Sequence, residues 1–369
     1  MREPNEIDFW RGFALVTIFL NHVPGIFYEH FTYRNLSLSD SAELFVFLAG
    51  WSLRLQTNRA AALPMWALFL RLGGRAMQVY FAQLVITEMA VAMLAAASIY
   101  FNASFLLDLH NAAAVFNDPV RAHIGLILLT HQLGYFNIRP LYVVLVAAAP
   151  FIALCFRYAA PALLPLSLAL YVVTLSTGIN LPSWPVEGTW FLNPMAWQFI
   201  YVLGFSFAGA EGLGGFVRRH RAVFRWLAIP IVGFGVYVAL SHFAPRPSAI
   251  PSPKLFFVFD KTFLSPARLL HFLALAALIG GGFRFAMRWI APISLYCAML
   301  GRNSLYVFCI ASLLSLAGQI FRFAYGGALI SDTLITGMGL AIMGIVAWLS
   351  ERRDGARKAG AELRASPSS

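Results

Sequence analysis

Long apolar blocks separated by short polar stretches set the pattern of this chain. They run near 9–27, 42–57, 77–101, 141–157, 161–176, 195–210, 224–242, 267–283, 303–322 and 331–349. Most have the length a helix needs to cross bilayer hydrocarbon. One shorter block, Ile124 to Thr130, is too brief to assign on length, and positive charge decides it. Arg54, Arg59, Arg71, Arg75, Arg157, Arg218, Arg219, Arg221, Arg225, Arg284, Arg288, Arg302 and the basic tail share one side only if that block does not cross. The arginine-rich side is the cytoplasm. The pattern therefore predicts an all-α, polytopic integral membrane helical bundle of about ten transmembrane helices, with both termini cytoplasmic. One transmembrane domain is expected over 1–350, followed by a basic tail, 351–369, whose polarity predicts disorder.

With that topology the segment 102–139 is an outer loop with an apolar middle that lies in the interface or dips into the protein, and it carries His123 and His131. The connections 177–194 and 243–266 are also outside. Their prolines and tryptophans, Pro182, Trp184, Pro185 and Trp190 in the first and Pro245, Pro251 and Pro253 in the second, are a loop composition. The first apolar block contains Arg11, Asn21 and His22 and runs into Pro24 and Gly25 without an Ala-x-Ala-like site. It is expected to stay in the mature protein.

Composition agrees with the membrane class. Of 369 residues, 60% are hydrophobic and 12% charged, and the mean hydropathy is +0.72, outside the range of ordinary soluble domains. A net charge of +11 would raise the question of nucleic acid in a soluble protein. Here the positive residues gather in short loops and tails, so topogenic charge and contact with anionic lipid explain them, and no nucleic-acid partner is expected. Cys155, Cys297 and Cys309 form no Cys-x-x-Cys pair and read as packing residues. The chain has no metal-ligand spacing, P-loop or dinucleotide glycine fingerprint, so no metal is expected.

The chemistry begins in the first block. Arg11 and His22 are separated by ten residues, which on an α-helix puts both on one face about 16 Å apart. Ionisable groups inside a membrane helix are costly and mark function by default. The guanidinium would hold an anion near one membrane face and the imidazole would work near the other, as in an acyl-transferring membrane enzyme. The second helix returns from outside, beginning Ser39-Asp40-Ser41-Ala42-Glu43, so Asp40 and Glu43 enter at about the depth of His22. A carboxylate that reached the imidazole would fix its tautomer and raise its basicity. The structural alternative is a capping box, with Asp40 as N-cap and Glu43 at the third position. Arg11 has alternatives too, snorkelling to headgroups or pairing with Asp8.

Several stretches resemble the OpgC family of membrane proteins, which is associated with succinylation of osmoregulated periplasmic glucans and related to the acyltransferase-3 superfamily. They are Ile-Asp-Phe-Trp-Arg-Gly (7–12), Asn-His-Val-Pro-Gly (21–25), the run Ser39 to Gly50, Asn-Ile-Arg-Pro-Leu-Tyr-Val-Val-Leu (137–145), Asn-Pro-Met-Ala-Trp-Gln-Phe (193–199), Lys261-Thr262 with Arg268 to Phe272, and Gly-Arg-Asn-Ser-Leu-Tyr-Val-Phe (301–308). The arrangement of Arg11 and His22 matches the superfamily's hallmark.

The resemblance implies a bacterial inner-membrane O-acyltransferase. It would move an acyl group, succinyl by family, from cytoplasmic acyl-CoA as co-substrate to a hydroxyl of a periplasmic glucan or other glycan, alongside membrane proteins of glucan synthesis. His22 would be general base or acyl-carrying nucleophile, with Glu43 and Asp40 beside it. Arg11, Arg71, Arg75 and Arg302 would bind the phosphates of coenzyme A, although Arg71 and Arg75 also read as ordinary inside-positive charge. Arg139, Lys261, Arg268 and His271 would bind a succinyl carboxylate, an oxyanion or an anionic glycan, and Trp184 a sugar ring, with headgroup contact and an interfacial aromatic belt as the alternatives. Two other functions share these features: a transporter or flippase of an anionic substrate, and an acyltransferase acting on a lipid or small molecule.

Overall fold

The structure, a computed structural model, describes residues 3–246 and 248–365. Helices come in chain order as α1 (Glu6–Asn21), α2 (Ser41–Arg59), α3 (Met65–Tyr100), then three short ones, α4 (Phe105–Asp108), α5 (Ala113–Asn117) and α6 (Pro119–Ile127). There follow α7 (Ile138–Thr177), α8 (Pro194–Phe207), α9 (Gly212–Arg219), α10 (Arg221–Ser241) and α11 (Pro266–Ile279). The chain ends with α12 (Gly282–Trp289), α13 (Ala291–Arg302), α14 (Ser304–Tyr325) and α15 (Leu329–Ala365). Among the described residues no strand forms, and Pro182 and Thr189 make an isolated bridge.

Among the described residues five segments are long and apolar enough to cross a membrane: α3, Gly134–Thr177, α10, α14 and Leu329–Ala356. The number rises to seven if α8 with α9 and α11 with α12 each make one crossing. The chain is a helical membrane protein. The first two apolar blocks do not reach that threshold. α1 has 16 residues, about 24 Å of helix against about 30 Å of hydrocarbon, and α2 carries Glu43, Arg54 and Gln56 along its 19 residues.

The fourth and fifth blocks meet inside α7, two helices joined at a kink where Ala159 leaves the helical region (φ −145, ψ 47). Pro161 explains it, because its ring meets the carbonyl of Arg157 and its nitrogen donates nothing. The doubtful block at 124–130 ends the nine-residue α6, about 14 Å long and too short to cross alone. α15 runs on past Glu351 to Ala365, over Glu, Arg, Lys and Ala residues that are strong helix formers, with no proline before Pro367; residues 366–369 lie outside the described residues.

The described chain falls into two compact units, one of residues 1–32 and 280–369 and the other of residues 33–279. In the first, α13 packs along α1. Gly12 and Gly301 make this approach, for a Cβ on Gly12 would stand 1.8 Å from the Cys297 carbonyl oxygen and one on Gly301 1.8 Å from that of Asp8. In the second, α2 crosses α8 in the same way, with Gly50 against the Tyr201 carbonyl and Gly204 against that of Phe47. Small residues at a crossing let membrane helices meet backbone to backbone.

Candidate functional site

Within the first unit, the end of α1 presents His22 as its C-cap, half-buried. The ring Nδ1 lies 2.6 Å from the Ile18 carbonyl oxygen. A carbonyl only accepts, so Nδ1 carries the proton and Nε2 the lone pair. The tautomer-fixing partner at Nδ1 is therefore the main chain of its own helix, where the sequence analysis looks to a carboxylate. Arg11 is half-buried on the same helix. Arg11 and Arg302 are each the chain neighbour of a glycine at the α1–α13 contact, Gly12 and Gly301. The Arg302 guanidinium is also engaged: Nε donates to Glu351 Oε1 at 2.7 Å, and Asn303 Nδ2 reaches the same oxygen at 3.3 Å.

Within the second unit lies a polar cluster at the start of α2. Asp40 is the N-cap, accepting from the Ala42 amide at 2.8 Å, while Glu43 accepts from the Asp40 amide at 2.9 Å, a complete capping box. The same acids also carry ion pairs. Lys261 Nζ stands 2.5 Å from Asp40 Oδ2. Arg268 gives Glu43 Oε1 two hydrogen bonds, from Nε at 2.9 Å and Nη2 at 2.6 Å, and approaches Asp40 Oδ2 at 3.7 Å. The capping alternative is met, and the same carboxylates hold Lys261 and Arg268. Burial pushes the Asp40 carboxyl up, but Lys261 and Arg268 outweigh it and hold the group well below the usual carboxylate range. Glu43 is fully buried and Arg268 nearly so.

His271 joins this cluster through Ser39, whose Oγ is 3.0 Å from Nδ1. It is a packed residue rather than an exposed one: it is 2% exposed, and a Cβ on Gly235 would fall 2.1 Å from its Nε2. Arg139 is buried at the start of α7 with its guanidinium 4.7 Å from the centre of the Phe136 ring. Trp184 keeps an exposed ring, while its amide donates to the Thr130 carbonyl at 3.2 Å and its carbonyl accepts from Thr130 Oγ1 at 3.0 Å. Trp190 is buried and offers no face to a sugar. At the start of α3, Arg71 is exposed and Arg75 donates to Gln78 at 2.7 Å. Among the described residues no group of three or more His, Cys, Asp or Glu is placed to hold a metal ion.

Sequence reasoning missed the residues that hold these groups. Lys261 sits on a turn fixed from three directions. Trp197 Nε1 donates to the Lys261 carbonyl at 3.0 Å, the Asn193 amide to that of Thr262 at 3.0 Å, and the Tyr171 hydroxyl to that of Leu264 at 2.6 Å. Asn193 and Trp197 stand in one of the resembling stretches, which was the available signal, but nothing local marks their partners. Tyr33, hydrogen-bonded to Ser41 beside Asp40 and Glu43, was also missed.

A family model described as OpgC protein matches residues 2–355, nearly the whole chain. The chain belongs to the OpgC family. Comparisons with curated proteins and with solved structures return no match. Family membership points to an acyltransferase-type enzyme acting on glucans, and the helical membrane architecture fits it.

Proposed function

We propose that this OpgC-family protein is an inner-membrane O-acyltransferase that moves an acyl group, succinyl by family, from cytoplasmic acyl-CoA to a hydroxyl of a periplasmic glucan. In this reading the helices make ten spans with both termini in the cytoplasm, and membrane proteins of glucan synthesis present the acceptor. The observation that carries it is the hydrogen bond from His22 Nδ1 to the Ile18 carbonyl, which leaves Nε2 as the basic nitrogen of a half-buried imidazole at the end of α1.

The chemistry then balances without a further reagent. Nε2 takes the proton of the sugar hydroxyl as the oxygen attacks the thioester carbonyl. The tetrahedral intermediate collapses by breaking the carbon–sulfur bond, and the imidazolium returns its proton to the departing coenzyme A thiolate. Arg11, Arg71, Arg75 and Arg302 are assigned to the donor phosphates, with Arg302 exchanging Glu351 for phosphate. Lys261 and Arg268, already holding two carboxylates, have the chemistry to hold the acyl carboxylate or the oxyanion, and Asp40 and Glu43 keep them in place. Arg139, His271 and Trp184 are assigned to the acceptor side.

The test follows release of coenzyme A and transfer of labelled acyl group to glucan in membranes. His22→Ala protein that inserts normally is expected to lose both; retained transfer removes His22 from the mechanism. Uptake of an anionic substrate without thioester cleavage would replace the enzyme with a transporter. The mass gained by periplasmic glucans identifies the acyl group.

A further inference from the structure

Beyond its side chain, His22 is held through its main chain. A helix end leaves its last carbonyls without intrahelical donors. At the exit of α1 three carbonyls, of Phe19 in the last turn, of the cap His22 and of Gly25 beyond the helix, are met by side chains of one other helix. Ser315 Oγ donates to the Phe19 carbonyl at 3.1 Å, Gln319 Nε2 to that of His22 at 2.6 Å, and Arg322 Nη2 to that of Gly25 at 2.7 Å. Donors spaced four and three residues apart lie along one face of α14, and the acceptors advance three residues at a time, so the two chains run in register. The rail is anchored at its far end. Asp332 at the head of α15 forms an ion pair with Arg322 and accepts the Phe27 amide at 2.8 Å. Its middle is packed, with Gly318 facing the side chain of the fully buried Val23. All of these residues belong to the first unit.

The register has a consequence for the imidazole. His22 closes α1 outside helical geometry (φ −100, ψ 10), with its own amide donating to the Ile18 carbonyl at 3.1 Å and the Val23 amide to the Leu20 carbonyl at 3.1 Å. Gln319 adds the bond from outside α1, on the carbonyl of the same peptide unit as the Val23 amide. With the main chain held on both sides of the residue, the Cα–Cβ direction is held, and the ring stays where Nδ1 meets Ile18. We propose that Gln319, supported by Ser315 and the Arg322–Asp332 pair, is a positioning residue that locks the His22 tautomer and so the basic face of Nε2. The role in turnover rests on the acyl-transfer reading above; the lock on the tautomer does not.

The test uses the full-length protein in detergent or nanodiscs. Gln319→Met keeps the volume and removes the donor. Turnover is expected to fall about ten- to a hundredfold, in the range of losing an outer-shell partner, with the KM for acyl-CoA within about twofold. The acidic limb of the pH profile of kcat is expected to move. Nitrogen NMR of histidine-labelled protein, with the His22 signal assigned by its loss in His22→Ala, is expected to show a single Nδ1–H form in the natural protein and a mixture of tautomers in Gln319→Met. Gln319→Glu, which keeps length but not the amide donor, is expected to resemble Gln319→Met. An unchanged tautomer in both variants overturns the proposal, as does slower turnover with an unmoved acidic limb and an intact tautomer, which would mark a role in packing alone. If His22→Ala retains transfer, the acyl-transfer reading fails instead, and the tautomer readout still judges the rail.

Discussion

His131, 4% exposed in the segment between α6 and α7, is held through a hydrogen bond with the Asn111 main chain. Burial pushes its imidazole below the ordinary histidine value, and the hydrogen bond offsets only part of that. The folded protein thus keeps His131 neutral in a range where the unfolded chain binds a proton. Stability is complete above the unfolded value of about 6.5 and falls as acidity carries the pH from there down toward the folded value. His131→Asn, whose amide keeps a donor near Nδ1, is expected to flatten the slope of thermal stability between about pH 5 and pH 7; an unchanged slope would assign it to other groups. His22 and His131 illustrate what one residue's identity conveys. Sequence placed both beside apolar runs and marked them as candidates. Which nitrogen carries the proton was not legible, because it depends on the Ile18 and Asn111 main chains arriving at hydrogen-bond distance.

Between elements the decisive contact is Glu43 with Arg268, joining α2 to α11 across 225 positions. Two buried charges that satisfy each other are costly to separate, since the survivor stays out of water without a partner. Arg268→Met or Glu43→Leu alone is expected to cost about 3–5 kcal/mol in thermal or denaturant unfolding in detergent. The double variant is expected to recover most of that, apart from about 1 kcal/mol for the lost capping interaction. A double variant that loses the sum of the two singles would mean that the pair is not coupled. The capping box was legible from Asp40 and Glu43 alone because it is local. The ion pairs were not, because an isolated carboxylate and an isolated guanidinium carry no record of each other. The kink in α7 shows the reverse case, where a local proline explains a break that hydropathy divided into two blocks.

Across the molecule each unit is built on a glycine crossing, Gly12 with Gly301 and Gly50 with Gly204. Gly12→Ala and Gly50→Ala would each drive a methyl group into a carbonyl oxygen of the facing helix and are expected to destabilise by roughly 1–3 kcal/mol or more. Gly337→Ala on α15 meets nothing within 4 Å and is expected to be neutral or stabilising by up to about 1 kcal/mol. Equal effects at all three positions would deny the crossings their role. From its sequence alone this protein was already a helical membrane chain with Arg11 and His22 on one helix and acids at the head of the next. Hydropathy and helical spacing are properties of neighbouring residues and need no partner. Only the tertiary structure brought the short, arginine-flanked α13 against α1, gave Asp40 and Glu43 to Lys261 and Arg268, and set Gln319 under the His22 carbonyl. Those contacts join segments tens to hundreds of residues apart, where close packing, and not local periodicity, selects the partner.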